Sequence, residues 1–290
     1  MAKQELVSIA SKSLGASVSS LGAELQRLHT TSGVELLWDG DPAVWSGRSP
    51  LLFPIVGEVK DDRVTVGGKR YPLSRHGFAR TSTFELADAQ PSHCLWRLRP
   101  TEETRARYPF AFRLDMAYAI DGNRLTMTAT VANEGDGPMP VSFGFHPAFR
   151  WPLQPDVPRE QYEVRFEKPE PAPLRGLDNN LLGPTVPSPV TGNRLTLADS
   201  LFKRNALIWD RLQSRSLTYG GPSGPSLRLD FPEMPHLGIW TKPGARYVCL
   251  EPWQGFASPV GFDGELAEKP GIVSLVAGET RRFEISVTVA

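Results

Sequence analysis

The chain has 290 residues, enough for one large β domain or two ordinary ones. Apolar residues make up 40% and charged residues 22%, which excludes a disordered chain. Lys plus Arg and Asp plus Glu stand at 32 each, so no net charge draws the chain to nucleic acid or to an anionic membrane. The two cysteines, Cys94 and Cys249, show the sequence pattern of neither a disulfide framework nor a zinc site. The opening residues lack a signal-peptide core, and no run approaches the roughly 18 apolar residues of a membrane helix. A reducing cytoplasm is the expected compartment.

In chain order, segments that alternate apolar and polar residues recur. "ELVSIAS" is the first. "RVTVGGKRYPL" sets Gly67-Gly68 between two short strands, the signal of a hairpin with a primed turn. "CLWRLRP", "FRLDMAYAI" and "RLTMTATVAN" follow. In the last of these Leu125, Met127, Ala129 and Val131 share one face, and Arg124, Thr126, Thr128 and Thr130 share the other. "QYEVRFE", "SLRLDF", "LGIWT", "YVCLEP" and "RRFEISVTVA" complete the set. Helical periodicity is confined to single turns at 42–46 and 199–204. The Pro-rich stretch 152–190 reads as long loops around one strand. Together these predict an all-β chain with few short helices, residues 1–290 forming a single large, mostly antiparallel β-sandwich.

Three stretches carry candidate chemistry. In 51–80, His76 stands between Arg75 and Gly77, with Arg80 close behind. In "VSFGFHPAFRWPL", His146 precedes a proline. In "YVCLEPWQGFASPVGF", Glu251 follows an apolar run. Taken singly, each histidine is most simply a hydrogen-bonded structural residue, and the glutamate a strand-end carboxylate. Taken together, all three sit near strand ends beside Gly or Pro and aromatics (Phe78, Phe149, Trp253), where sandwiches place their sites. Two imidazoles, a carboxylate and aromatic faces suit a sugar, whose C–H face is apolar and whose hydroxyls are polar. His236 reads as a rim or structural residue, and His29 and His93 as exposed. The pairs Arg281-Arg282 and Lys203-Arg204 read as solvated faces.

The motifs "FPIVG…HGFAR", "FGFHPAF" and "EPWQGFAS", in this order and over most of the chain, resemble the aldose 1-epimerase (galactose mutarotase-like) superfamily, its bacterial mutarotase-like branch in particular. The resemblance implies a mutarotase-like supersandwich that interconverts the α and β anomers of a free sugar. It implies Glu251 as general base at the anomeric hydroxyl and His146 as the acid at the ring oxygen. His76 is implied as a second histidine on the sugar, and the reaction needs no metal and no cofactor. A sugar is then the one small-molecule partner, and the oligomeric state stays open. The acid and base must differ in charge, so an ionised Glu251 facing a protonated His146 is expected. The family pattern usually has Arg after "FPIVG", where this chain has Glu58; either Arg48 or Arg80 is the expected substitute, or the substrate differs. It often has Asp before "ALI", where this chain has Asn205, expected to bind a hydroxyl. Phe149 and Trp253 are the expected aromatic contacts. Two alternatives use the same scaffold: a non-catalytic carbohydrate-binding or sensing protein, and an epimerase of a sugar phosphate held by Arg48, Arg75 and Arg80.

Overall fold

The structure, a computed structural model, describes residues 5–290. Its regular framework starts from two strands of ten residues, Phe112–Asp121 and Arg124–Asn133, joined by a tight turn at Gly122. They pair antiparallel with Leu125 opposite Ile120 and Met127 opposite Tyr118. Leu125, Met127, Ala129 and Val131 are buried on one face, as their alternation predicts, and the threonines between them are half-buried. Burying side chains of the Leu, Met or Val kind contributes about 1.5–3 kcal/mol each.

Around this pair grows a nine-stranded antiparallel sheet. Its order is Arg194–Thr196, Glu163–Phe166, Ser216–Gly220, Ser226–Asp230, Thr280–Val289, Arg124–Asn133, Phe112–Asp121, His93–Leu98 and Glu85–Gln90. An eight-stranded antiparallel sheet faces it. From one edge this runs Leu181–Val186, Leu174–Asp178, Leu207–Trp209, His236–Trp240, Tyr247–Gln254, Phe143–Phe145 and Leu51–Leu52, and Ala148–Arg150 also pairs with Tyr247–Gln254. The sheets meet through aromatic side chains. Phe143 stacks on Phe283 at 5.4 Å between ring centres, and Phe166 meets Trp209 at the same separation. One core cluster collects residues from Ile9 to Val287 and draws on both sheets. The sandwich expected from sequence is therefore the fold observed.

A three-stranded sheet (Leu6–Ala10, Leu14–Ser19, Leu25–Thr30) and two ribbons complete the strands. In the ribbon Arg63–Val66 with Lys69–Pro72, Gly67 and Gly68 have φ of 57° and 75°, the conformation that the primed turn requires. Two local expectations need correction. Residues 42–44 form a turn and no helix, whereas the second helical signal is a single 3₁₀ turn, Asp199–Phe202. Within 152–190 the chain makes more than one strand: Leu174–Asp178 and Leu181–Val186 form a hairpin around Asn179 and Asn180. Gly176 and Pro184 mask its alternation, and a register shift lies between Arg175 and Leu177. The α-helix Glu102–Arg105 is a single capped turn. Among the described residues no helix is long and apolar enough to cross a membrane.

Candidate active site

The strand Tyr247–Gln254 is buried at every position. Period-two alternation sends Val248 and Leu250 into the main core, while Tyr247, Cys249, Glu251 and Trp253 face the other way, into two smaller clusters and the site. Two short strands pair beside it, with Gly144 opposite Trp253 and Ala148 opposite Cys249. The gap between them holds His146 and Pro147. Proline has no N–H to give to the ladder, so pairing breaks there, and its carbonyl still accepts from the Leu250 amide at 3.2 Å. The break turns His146 toward Glu251: Nε2 lies 3.1 Å from Oε2. Both are buried, His146 at 7% exposure and Glu251 at 2%.

His76 is held by its own backbone. Its φ is 66°, a left-handed conformation rare for a residue with a side chain, and such strain costs of order 1–3 kcal/mol. The His76 amide donates to the Gly57 carbonyl at 2.9 Å, and the Gly57 amide donates to His76 Nδ1 at 3.1 Å. An amide can only donate, so Nδ1 accepts, and Nε2 faces the Arg75 Nε–H, which donates to it at 3.2 Å. Burial first, and then the charge of Arg75, hold His76 well below the usual imidazole range. A Cβ on the next residue, Gly77, would stand 2.2 Å from the Phe53 carbonyl oxygen, so the turn that carries His76 admits only glycine there. The rings of His76 and His146 are 6.0 Å apart and nearly perpendicular.

These three side chains open onto a cavity of about 380 Å³, within the range of small-molecule sites. Trp45 lies against His146 with ring centres 5.3 Å apart, Trp240 flanks the same ring at 6.0 Å, and Trp253 completes an aromatic wall. Asn205 lines the cavity with φ of 80°. Its Oδ1 accepts from the Ala206 amide at 2.9 Å, and its Nδ2 donates to Asn180 Oδ1 at 3.3 Å. Arg75 and Arg80 reach the cavity too, Arg80 donating to the Arg75 carbonyl at 2.9 Å. Glu58 stands on its wall.

Of the residues singled out from sequence, Glu251, His146, His76, Arg80, Asn205 and Trp253 come together here. Two do not. Arg48 lies outside the cavity and donates from Nη1 to the Gln26 carbonyl at 2.8 Å, clamping the strand Leu25–Thr30. Phe149 is fully buried in the main core. Alternation from His146 already puts Phe149 on the opposite face, which is the sequence signal for it. His236 is a structural residue: its Nδ1 accepts from the Gly255 amide at 3.0 Å, its ring packs on Phe256, and burial lowers its pKa to about 4. Asn180, Trp45 and Trp240 were not singled out. Asn179-Asn180 is a recognisable turn, but nothing local places it beside Asn205.

Burial acts against the expected ion pair. Burial raises the Glu251 carboxyl well above 4.5, with Arg75 opposing. Burial lowers His146 to about 3. Taking charges out of water is costly, so burial pushes the pair away from an ion pair and toward a carboxylic acid facing an imidazole. One proton is shared between two groups in contact.

A family model for aldose 1-epimerases matches residues 5–288. The plasmid-encoded protein LacX of Lactococcus lactis subsp. lactis is 31% identical over 282 residues, covering 93% of this chain and 94% of its own. A galactose mutarotase-like protein from Lactobacillus casei superposes with a TM-score of 0.93 at 28% identity, over 99% of this chain and 100% of that one. A galactose mutarotase related enzyme from Lactobacillus acidophilus gives 0.91 at 29%, over 99% and 97%. By sequence over nearly its whole length, and by fold, the chain belongs to the aldose 1-epimerase family.

Proposed function

We propose that this protein is an aldose 1-epimerase that interconverts the α and β anomers of a reducing sugar by acid–base ring opening, with Glu251 and His146 as the catalytic pair. The observation that carries the reading is the 3.1 Å contact between these two groups at the floor of a sugar-sized cavity. Opening a hemiacetal takes a proton from O1 and gives one to O5, both on the same carbon. A pair that holds one proton between two basic sites presents a donor and an acceptor at once, without waiting for two water molecules to arrive together. Glu251 takes the O1 proton as His146 protonates O5. The ring opens to the aldehyde, the C1–C2 bond turns, and closure on the other face reverses the roles. Each positioned transfer contributes about 10²–10⁴-fold.

A proton on Glu251 does not block this cycle. A sugar O1–H donating to the carboxyl and a ring oxygen accepting from Nε2 both favour moving that proton to His146, and the charge of Arg75 favours the carboxylate. His76, Asn205, Trp240 and Trp253 hold the ring. Residues 1–290 act as one domain in this reading, in a reducing compartment that suits two free, buried cysteines.

A second reading concerns the substrate. Arg75 and Arg80 turn toward His76 and toward a backbone carbonyl rather than toward a carboxylate. Two guanidinium groups on one cavity wall favour an aldose carrying phosphate or carboxylate. The test is α–β exchange by NMR on freshly dissolved glucose and galactose, their 6-phosphates and the corresponding uronates. Acceleration of any of these supports the enzyme. Acceleration restricted to the anionic sugars selects the second reading. Silence on the whole panel, with binding retained, leaves a carbohydrate-binding protein.

A further inference from the structure

We propose that His146, Cys249 and Glu251 form a capture site for one thiophilic divalent cation, such as Zn²⁺ or Cd²⁺, and that its occupation turns the acid–base pair off. Cys249 and Glu251 are two apart on one strand, so alternation puts both on the same side, and His146 enters from the break beside them. One ligand atom from each of the three lies within 4.8 Å of the others, with the His146–Glu251 edge at 3.1 Å. A point equidistant from atoms so spaced lies at most about 2.5 Å from each, close to the 2.0–2.3 Å of zinc bonds to nitrogen, oxygen and sulfur. Shifts of a few tenths of an ångström close the site.

The donor set selects the ion. Imidazole, thiolate and carboxylate suit zinc and its softer congeners, whereas magnesium and calcium take oxygen alone. Charge fits as well. A dication bound by one carboxylate and one thiolate leaves no net charge in a water-poor site, and two protons leave to solvent on binding, one from the thiol and the one shared by Glu251 and His146. His146 and Glu251 line the cavity, so the fourth position opens where the sugar binds.

The test titrates the full chain with CdCl₂ and ZnCl₂ alone. The expected results are one-to-one binding by calorimetry and an ultraviolet thiolate-to-cadmium charge-transfer band that saturates with it. α–β exchange falls in parallel, and a chelator restores it. Cys249→Ala, with Cys249→Ser as the near-isosteric control for folding, keeps turnover, loses the band and weakens binding by about tenfold or more. Absence of the band in the wild type, or inhibition of equal strength in both variants, overturns the proposal. The band and the calorimetry decide the site even if no sugar is turned over, so its failure is distinguishable from failure of the epimerase reading.

Discussion

The two large sheets differ in what they ask of their residues. The nine-stranded sheet keeps one face in contact with solvent. Its strand Arg124–Asn133 alternates cleanly, and its outer face carries ion pairs such as Arg97–Asp115 at 2.6 Å. Polar groups there stay close to water. The eight-stranded sheet is covered on both sides where the site lies, and Tyr247–Gln254 exposes no residue. A carboxyl and an imidazole placed on that strand and beside it lose their hydration, and burial moves both toward their neutral forms. A sheet with a wet face builds stability, while one covered on both faces can also build reactivity.

The largest expected contrast separates the two sheets directly. Glu251→Gln lowers turnover by about 10²–10⁴-fold with little loss of thermal stability. Met127→Ala, in the core face of the other sheet, costs about 2–5 kcal/mol in a urea melt and leaves turnover per folded molecule unchanged. A Met127 variant with altered chemistry breaks the division. Next comes Gly238→Ala. A Cβ there would stand 2.3 Å from the Trp253 ring, so overpacking costs about 1–3 kcal/mol and the displaced indole raises KM.

The pH–rate profile sharpens the same contrast. Burial lowers His146 and raises Glu251, so the state with one shared proton spans a wide range. Activity therefore stays flat as pH falls through the 6.5 of ordinary imidazole, and its acid limb lies well below that value. A limb near the ordinary value means a hydrated pair.

The smallest effect concerns a buried lysine behind the site. Lys269 donates to the Phe256 and Pro270 carbonyls, and burial lowers its pKa from 10.5 to about 7. Between those values the unfolded chain holds a proton that the folded chain has lost, so stability rises with pH across that window and falls back as pH drops toward about 7. Lys269→Met flattens that slope in melts taken across the window.

What was legible in the sequence follows the same division. Strands with one wet face announce themselves by alternation, as in "RLTMTATVAN". Leu207–Trp209, buried throughout, and Leu174–Asp178, broken by Gly176, do not. The contact between His146 and Glu251 depends on register across strands far apart in sequence, with Ala148 opposite Cys249. No local pattern encodes it, and only the family resemblance pointed there. Arg48 misled because its partner, the Gln26 carbonyl, lies on a distant strand. Phe149 misled by a single residue, which is all it takes to exchange the faces of a strand.

The account rests on Glu251 and His146 acting as one unit. The direct test measures α–β exchange by NMR for Glu251→Gln, His146→Asn and the double variant, on an aldose that the wild type turns over. The account predicts that all three fall to about the same residual rate, since either loss removes the shared proton's route. Losses that multiply in the double variant, or a single variant that keeps the wild-type rate, contradict it.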